Sequence, residues 1–261
     1  MATAAFASEA DMLAPIAEGL SRSLWRRRPR PEVLFEFDVS SGVADIVGVE
    51  FDSSAVVRRD FVDLGPVVEA LAVRTLVALR SGTMDTARLA EAVGASPEHL
   101  RRNVLPDLID QEWVAKGRTG EWEAVIRHQT VIRRAIAVEA KLKDWRTALW
   151  QASRHRRFAN LTVVVLDAST RTDAALAAVR HFRDVGLATV AADSGTVELL
   201  HLPGWRVPMS VSDFALAGER AWEMRRTGRV TRTVAPVFGR DLRATRGADP
   251  RFPDAGERSR R

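Results

Sequence analysis

"AIAVEAKLKDWRTALWQA", residues 135–152, decides how this chain is read. An apolar run ends in Glu139 and Lys141, two residues apart, and an amphipathic segment follows directly. In a β-strand the side-chain period is two, so both charged groups would leave the same side of a sheet. The segment behind them reads as a helix to about Phe158. A carboxylate set beside an ammonium at the end of an apolar strand asks what chemistry the pair serves.

Composition bounds the answer. A chain of 261 residues that is 46% hydrophobic can bury one large core or two modest ones. No apolar run approaches the roughly 20 residues that span a bilayer, and "MATAAFASEADMLAPIAEGL" lacks a basic segment followed by an apolar one. A soluble, cytoplasmic protein without membrane contact is expected. The absence of cysteine excludes disulfides, thiolate metal sites and a cysteine nucleophile, and the five histidines show no zinc-ligand spacing. The net charge of +5 is carried almost entirely by arginine and suits a polyanionic partner, with nucleic acid the leading candidate. Arginine usage in a GC-rich genome gives the same balance. The stretch 240–261 holds seven arginines against four acids, so three of the five net charges lie in a segment that reads as a disordered basic tail over 227–261.

Working outward from the quoted stretch, residues 9–28 read as a helix with a basic end. "EVLFEFDVSSGVADIVGVEFD" gives two β-rich runs around Ser40, Ser41 and Gly42, a hairpin signal. After Asp63 the character becomes helical through three segments, the third opened by Ser96 as cap and Pro97 in the first turn. "KGRTG" then separates two short apolar-aromatic runs. Strand character returns at Val131, followed by helix, the strand "LTVVVLDA", a helix over 171–184, a strand pair and a last helix over about 210–226.

Residues 66–126 thus carry three helices and a hairpin, and this stretch resembles a winged helix-turn-helix. The match is "TARLAEAVGASPEHLRRNVLPDLIDQEWVAKGRTGEWEA", with its tight turn at Gly94. The resemblance implies that the helix after the turn enters the major groove of double-stranded DNA, presenting Ser96, Glu98, His99, Arg101 and Arg102. Arg101 and Arg102 would hold phosphates or read guanine, and Lys116 and Arg118 in the wing would meet the flanking backbone. Glu98 and Asp107 dilute the positive surface, and a protein interaction module is the alternative. Trp113 and Trp122 are expected to staple the wing to its helices.

With that insert removed, residues 9–65 and 127–226 give helix, strand, strand, strand, helix, strand, helix, strand. This order resembles the PD-(D/E)xK phosphodiesterase superfamily, an α/β restriction-endonuclease-like core with a mixed sheet flanked by helices. The residues carrying the resemblance are Glu18, Asp45 in "GVADIVG", Glu139 and Lys141 in "VEAK", and Gln151. Ala44 stands where the family has proline. The resemblance implies a Mg²⁺- or Mn²⁺-dependent DNA endonuclease or nuclease-like DNA-processing protein. Asp45, Glu139 and the Ala140 carbonyl would be hard oxygen ligands. Lys141 would polarise the attacking water or stabilise the transition state, Glu18 would orient a metal-bound water, and Gln151 would hold Lys141 or that water. Glu36 and Asp38 read as solvent-facing strand positions, with Glu36 a substitute for Glu18, and Trp145 and Trp150 read as packing residues. A DNA-binding regulator on a non-catalytic scaffold, or an interaction subunit of a defence or repair assembly, stays open, as does a homodimer or larger assembly.

Overall fold

The run quoted above forms β5 (Ile132–Lys141), the strand at which a six-stranded sheet changes character. It pairs antiparallel with β2 (Gly42–Phe51), itself antiparallel to β1 (Glu32–Val39), and parallel with β6 (Leu161–Asp167). β6 runs parallel to β7 (Val185–Val190), which takes β8 (Val197–His201) antiparallel as the last strand of the order β1-β2-β5-β6-β7-β8. The computed structural model describes residues 4–24, 31–39, 42–170, 172–182 and 184–228. The protein is therefore α/β with a mixed sheet flanked by helices, as expected, and no helix among the described residues is long and apolar enough to cross a membrane. The expected turn at Ser40 and Ser41, the basic end at Arg26 to Arg28 and the tail from residue 229 lie outside the described residues.

Alternation along β5 divides its side chains between two layers. Ile136, Val138 and Ala140 pack with Met12, Leu13 and Ile16 of α1 (Glu9–Leu24), while Ala135 and Ala137 join Phe158 on the other face. Gly19 lets α1 lie close to the sheet, since a Cβ there would stand 2.5 Å from Val197 Cγ2. β6 is buried throughout, as a parallel strand covered on both faces must be. The helices α7 (Trp145–His155) and α8 (Asp173–Phe182) supply the crossover connections that parallel pairing needs.

Between β2 and β5 the chain makes α2 (Ser53–Phe61), then α3 (Ala70–Ala78), α4 (Thr86–Val93), a longer helical stretch and the β3–β4 hairpin (Val114–Lys116, Trp122–Ala124). Gly94 ends α4 in the left-handed region, which its lack of Cβ permits. The next helix opens as α5 (Pro97–His99), widens to π geometry over Leu100–Val104 and closes as α6 (Leu105–Asp110). Pro106 supplies the cause: it has no N–H for the carbonyl four residues back, and its ring forces the preceding turn apart. Trp113 is buried in the core of this unit, and Trp122 Nε1 donates to Thr86 Oγ1 at 2.9 Å, so both tryptophans tie hairpin to helices.

A buried polar clamp closes the neck of the insert. Glu219, on the last helix α9 (Val211–Thr227), binds Arg59 of α2, the Val67 N–H at 2.9 Å and His128 Nε2 at 2.7 Å. Arg80 donates to His128 Nδ1 at 2.8 Å, so the neutral ring carries its proton on Nε2 and donates it to Glu219. The Arg59 guanidinium also lies 4.5 Å from the ring centroids of both Trp113 and Trp222. α9 is shared, with Ala215 and Leu216 in the core of the insert and Ala217, Ala221 and Trp222 in that of the sheet.

Candidate active site

Strand register lines up three carboxylates. β1 and β2 pair Phe35 with Ile46 and Phe37 with Ala44, which sets Glu36 opposite Asp45. β2 and β5 pair Ile46 with Val138, and one step beyond that pair Asp45 faces Glu139. There the ladder gives way to a side chain: Asp45 Oδ2 accepts the Ala140 N–H at 2.7 Å. Glu36 has φ +50°, a left-handed conformation that a residue with a Cβ adopts at a cost, in the middle of its strand and at this row. Lys141, at the last position of β5, donates to Glu9 Oε2 and to the Ala140 carbonyl, both at 3.1 Å, and stands 3.8 Å from Asp45 Oδ2.

Glu139 itself is fully buried. Its Oε1 is 2.5 Å from Nε2 of the buried His155 at the end of α7, while its Oε2 takes no hydrogen bond from any described N–H or hydroxyl group. Gln151 lies one turn before His155 on the same face of α7, and its Oε1 is likewise buried and takes no hydrogen bond from the described residues.

Burial and crowding set the charges. Glu36 is pushed up to about 7 by burial and by Asp45. Asp45 is pushed up to about 7 by burial and by Glu139, against the pull of Lys141. Glu139 reaches about 7 by burial, with Lys141 and a hydrogen bond to the Asp45 carboxyl opposing. Burial works against the Lys141 ammonium, yet Asp45 and Glu9 outweigh it and hold its pKa above the usual lysine value. Burial pushes His155 down to about 4, so at neutral pH it is an uncharged imidazole beside Glu139.

A carboxyl whose folded pKa is raised contributes stability that is complete below its unfolded pKa near 4 and is lost as pH rises through about 7. Asp45→Asn keeps the oxygen that accepts the Ala140 N–H and removes the charge. It is expected to be more stable than wild type at pH 8 without divalent cations, by about 2–4 kcal/mol at roughly 1.4 kcal/mol per pKa unit. The difference is expected to vanish at pH 4. Denaturant melts at both pH values in EDTA check this, and equal stability at pH 8 would contradict the crowding.

Among the described residues no group of three or more His, Cys, Asp or Glu side chains forms a recognisable metal-holding set. The row of carboxylates still fits an open divalent-cation site on two grounds. Glu139 Oε2 is buried and takes no hydrogen bond from a described N–H group, and three neighbouring carboxyls are raised chiefly by burial, with Glu36, Asp45 and Glu139 also repelling one another, so that a cation among them would offset the cost of their charge.

Asp45, Glu139 and Lys141 are thus brought together, with Gln151 on the adjoining helix face. Glu18 is not: it is exposed and pairs with Arg22 at 3.0 Å. Glu9 holds the corresponding place, nine residues earlier on α1 and therefore about 13 Å along its axis. The Ala140 carbonyl is occupied by the Lys141 ammonium rather than open. Glu36 is half-buried in the row instead of solvent-facing, and Asp38 is turned toward Arg220 at 3.8 Å. Trp150 is 60% exposed and packs no core.

In the insert, Ser96 Oγ accepts the His99 N–H at 3.1 Å and so acts as a helix cap, and His99 Nδ1 meets Asn103 Nδ2 at 3.0 Å. Arg101 and Arg102 are exposed, and both pair with Glu98. Lys116 lies over the Trp122 ring at 5.7 Å, and Arg118 is exposed in the hairpin turn. No family model matches the chain, and no curated protein or solved structure matches it.

Proposed function

We propose that this protein is a Mg²⁺- or Mn²⁺-dependent DNA endonuclease or nuclease-like DNA-processing enzyme, with a PD-(D/E)xK-type core and a winged helix-turn-helix that positions duplex DNA. The observation that supports this best is the row Glu36, Asp45 and Glu139 beside Lys141, with Asp45 and Glu139 both raised to about 7 by burial.

Asp45 and Glu139 would hold the cation. Bound there, it would neutralise charge on the phosphoryl oxygens and acidify the attacking water. His155 holds the Glu139 carboxylate through Oε1, and Oε2 would be the oxygen offered to a cation. Lys141, kept protonated by its acidic neighbours, offers a positive charge to the developing phosphorane. Glu9 holds that ammonium in place from the first turn of α1. Gln151 has an unengaged carboxamide oxygen that suits a water donor. Supercoiled plasmid is expected to be nicked or linearised in Mg²⁺ or Mn²⁺ and left intact in EDTA. Plasmid bound yet uncut in both metals would favour the regulator reading.

Arg101 and Arg102 project from the exposed face of the helix after the Gly94 turn. Each duplex phosphate contact contributes about 0.9 to the log–log salt slope of binding. Arg101→Ala/Arg102→Ala is therefore expected to weaken duplex binding and flatten that slope by about 1–2. Identical isotherms across salt would assign the insert to protein contacts instead.

A further inference from the structure

α7 shows two different faces. Inward it carries Ala148, Leu149, Ala152 and His155, the last on Glu139. Outward, Arg146, Trp150 and Arg154 recur at four-residue spacing, so they stack along one side of the helix, with exposed Lys143 just ahead of it. The Arg154 guanidinium lies 4.7 Å from the Trp150 ring centroid, and Arg146 lies 4.5 Å from that of Trp145. The one acid of residues 143–157, Asp144, is committed to capping: its Oδ1 accepts the Thr147 N–H at 3.1 Å and its Oδ2 the Thr147 hydroxyl at 2.6 Å. The ridge is thus positive and aromatic, on the outer side of the helix whose inner side supports Glu139.

From this we infer that the outer ridge of α7 is a second nucleic-acid contact, separate from the insert, and that its ligand is a single strand. Charge complementarity selects a polyanion, and Trp150 selects the kind. A duplex keeps its bases stacked inside, out of reach of a tryptophan standing on a helix surface, whereas an unpaired base offers its face. Arg146 and Arg154 lie one turn to either side of Trp150 and reach about 12 Å along the axis, which suits successive phosphates flanking a stacked base. The class of ligand rests on the phosphodiesterase reading, in which one strand leaving the site would pass along this helix.

The test is binding of a fluorescein-labelled oligothymidylate and of a duplex of equal length, in EDTA, by the full chain. Arg146→Ala/Trp150→Ala/Arg154→Ala is expected to lose at least tenfold affinity for the single strand, with a salt slope lower by roughly 0.7 for each lost phosphate contact. Its duplex affinity is expected to stay within twofold of wild type. Trp150→Phe alone is expected to keep most single-strand affinity, because the ring face is retained, while Trp150→Ala alone loses about fivefold or more. All the replaced side chains are outward, and melting curves confirm the fold. Unchanged oligothymidylate binding in the triple variant overturns the inference. So does a ridge that binds anionic phosphatidylserine vesicles and leaves oligonucleotide binding unmoved, which would make it a membrane contact. Because no cleavage is measured, a protein that proves inert toward plasmid and still loses single-strand binding on ridge substitution refutes the nuclease reading and keeps the ridge.

Discussion

Glu219→Ala is expected to destabilise the protein by about 3–5 kcal/mol, because it leaves the buried cations and donors of the neck clamp without their acceptor. Arg59, sandwiched between Trp113 and Trp222, would lose its carboxylate. The Val67 N–H and the His128 Nε2–H would lose theirs as well. For a chain of this size the loss corresponds to a fall in Tm of roughly 6–20 °C. Burial alone would raise the Glu219 pKa, but the His128 hydrogen bond and Arg59 overcome it and hold the carboxyl low. A depressed carboxyl contributes stability that is present above its unfolded pKa near 4 and is lost as pH falls through its folded value. The gap between wild type and Glu219→Ala is therefore expected to narrow in acid because wild type loses stability there, whereas the Asp45→Asn gap, of opposite sign, closes in acid because wild type gains it. A loss below about 1 kcal/mol at neutral pH would mean that the insert is held by its apolar contacts alone.

Glu139→Ala and Lys141→Ala are each expected to lower Mg²⁺-dependent cleavage by about 10³-fold or more while the protein stays folded. Under the proposed function the first would remove a cation-binding oxygen and the second a charge that stabilises the transition state; interactions of that kind carry several kcal/mol of barrier lowering. Stability separates the two. Glu139→Ala deletes a buried carboxylate and removes its short contact with His155 Nε2, effects that oppose each other. Lys141→Ala leaves Glu9, Asp45 and Glu139 with their counter-ion gone, and is expected to melt lower at pH 8 in EDTA. Full cleavage by either variant would remove that residue from the chemistry.

Much of this site can be read from local pattern. The strand period brings Glu139 and Lys141 to one strand end, and a hairpin ahead of Asp45 makes β2 the natural neighbour. The choice between the acids of α1 went astray: Glu9 and Glu18 are nine residues, or about two and a half turns, apart, so they leave opposite sides of the helix, and Glu9 meets Lys141 while Glu18 stays exposed with Arg22. Glu36 escaped because its positive φ breaks the alternation that assigned it to solvent. His155 gave a weak signal, its four-residue spacing from Gln151, which puts both on one helix face. Trp150 misled because tryptophan usually packs; its five-residue offset from half-buried Trp145 turns it about 140° round the helix, out of the core. The neck clamp joins Arg59 to Glu219 across 160 residues, a pairing no local pattern reveals.

Under the proposed function Asp45 and Glu139 together hold a divalent cation. Crystals grown without divalent salts and then soaked in Mn²⁺ test it most directly, through an anomalous difference map. The expected result is one strong peak bonded to Asp45 and to Glu139 Oε2, absent from Glu139→Ala crystals soaked in the same way. A wild-type map with no peak there, with Lys141 still donating to Glu9 and the Ala140 carbonyl, would show the row to be a charge cluster without a metal and would contradict the account.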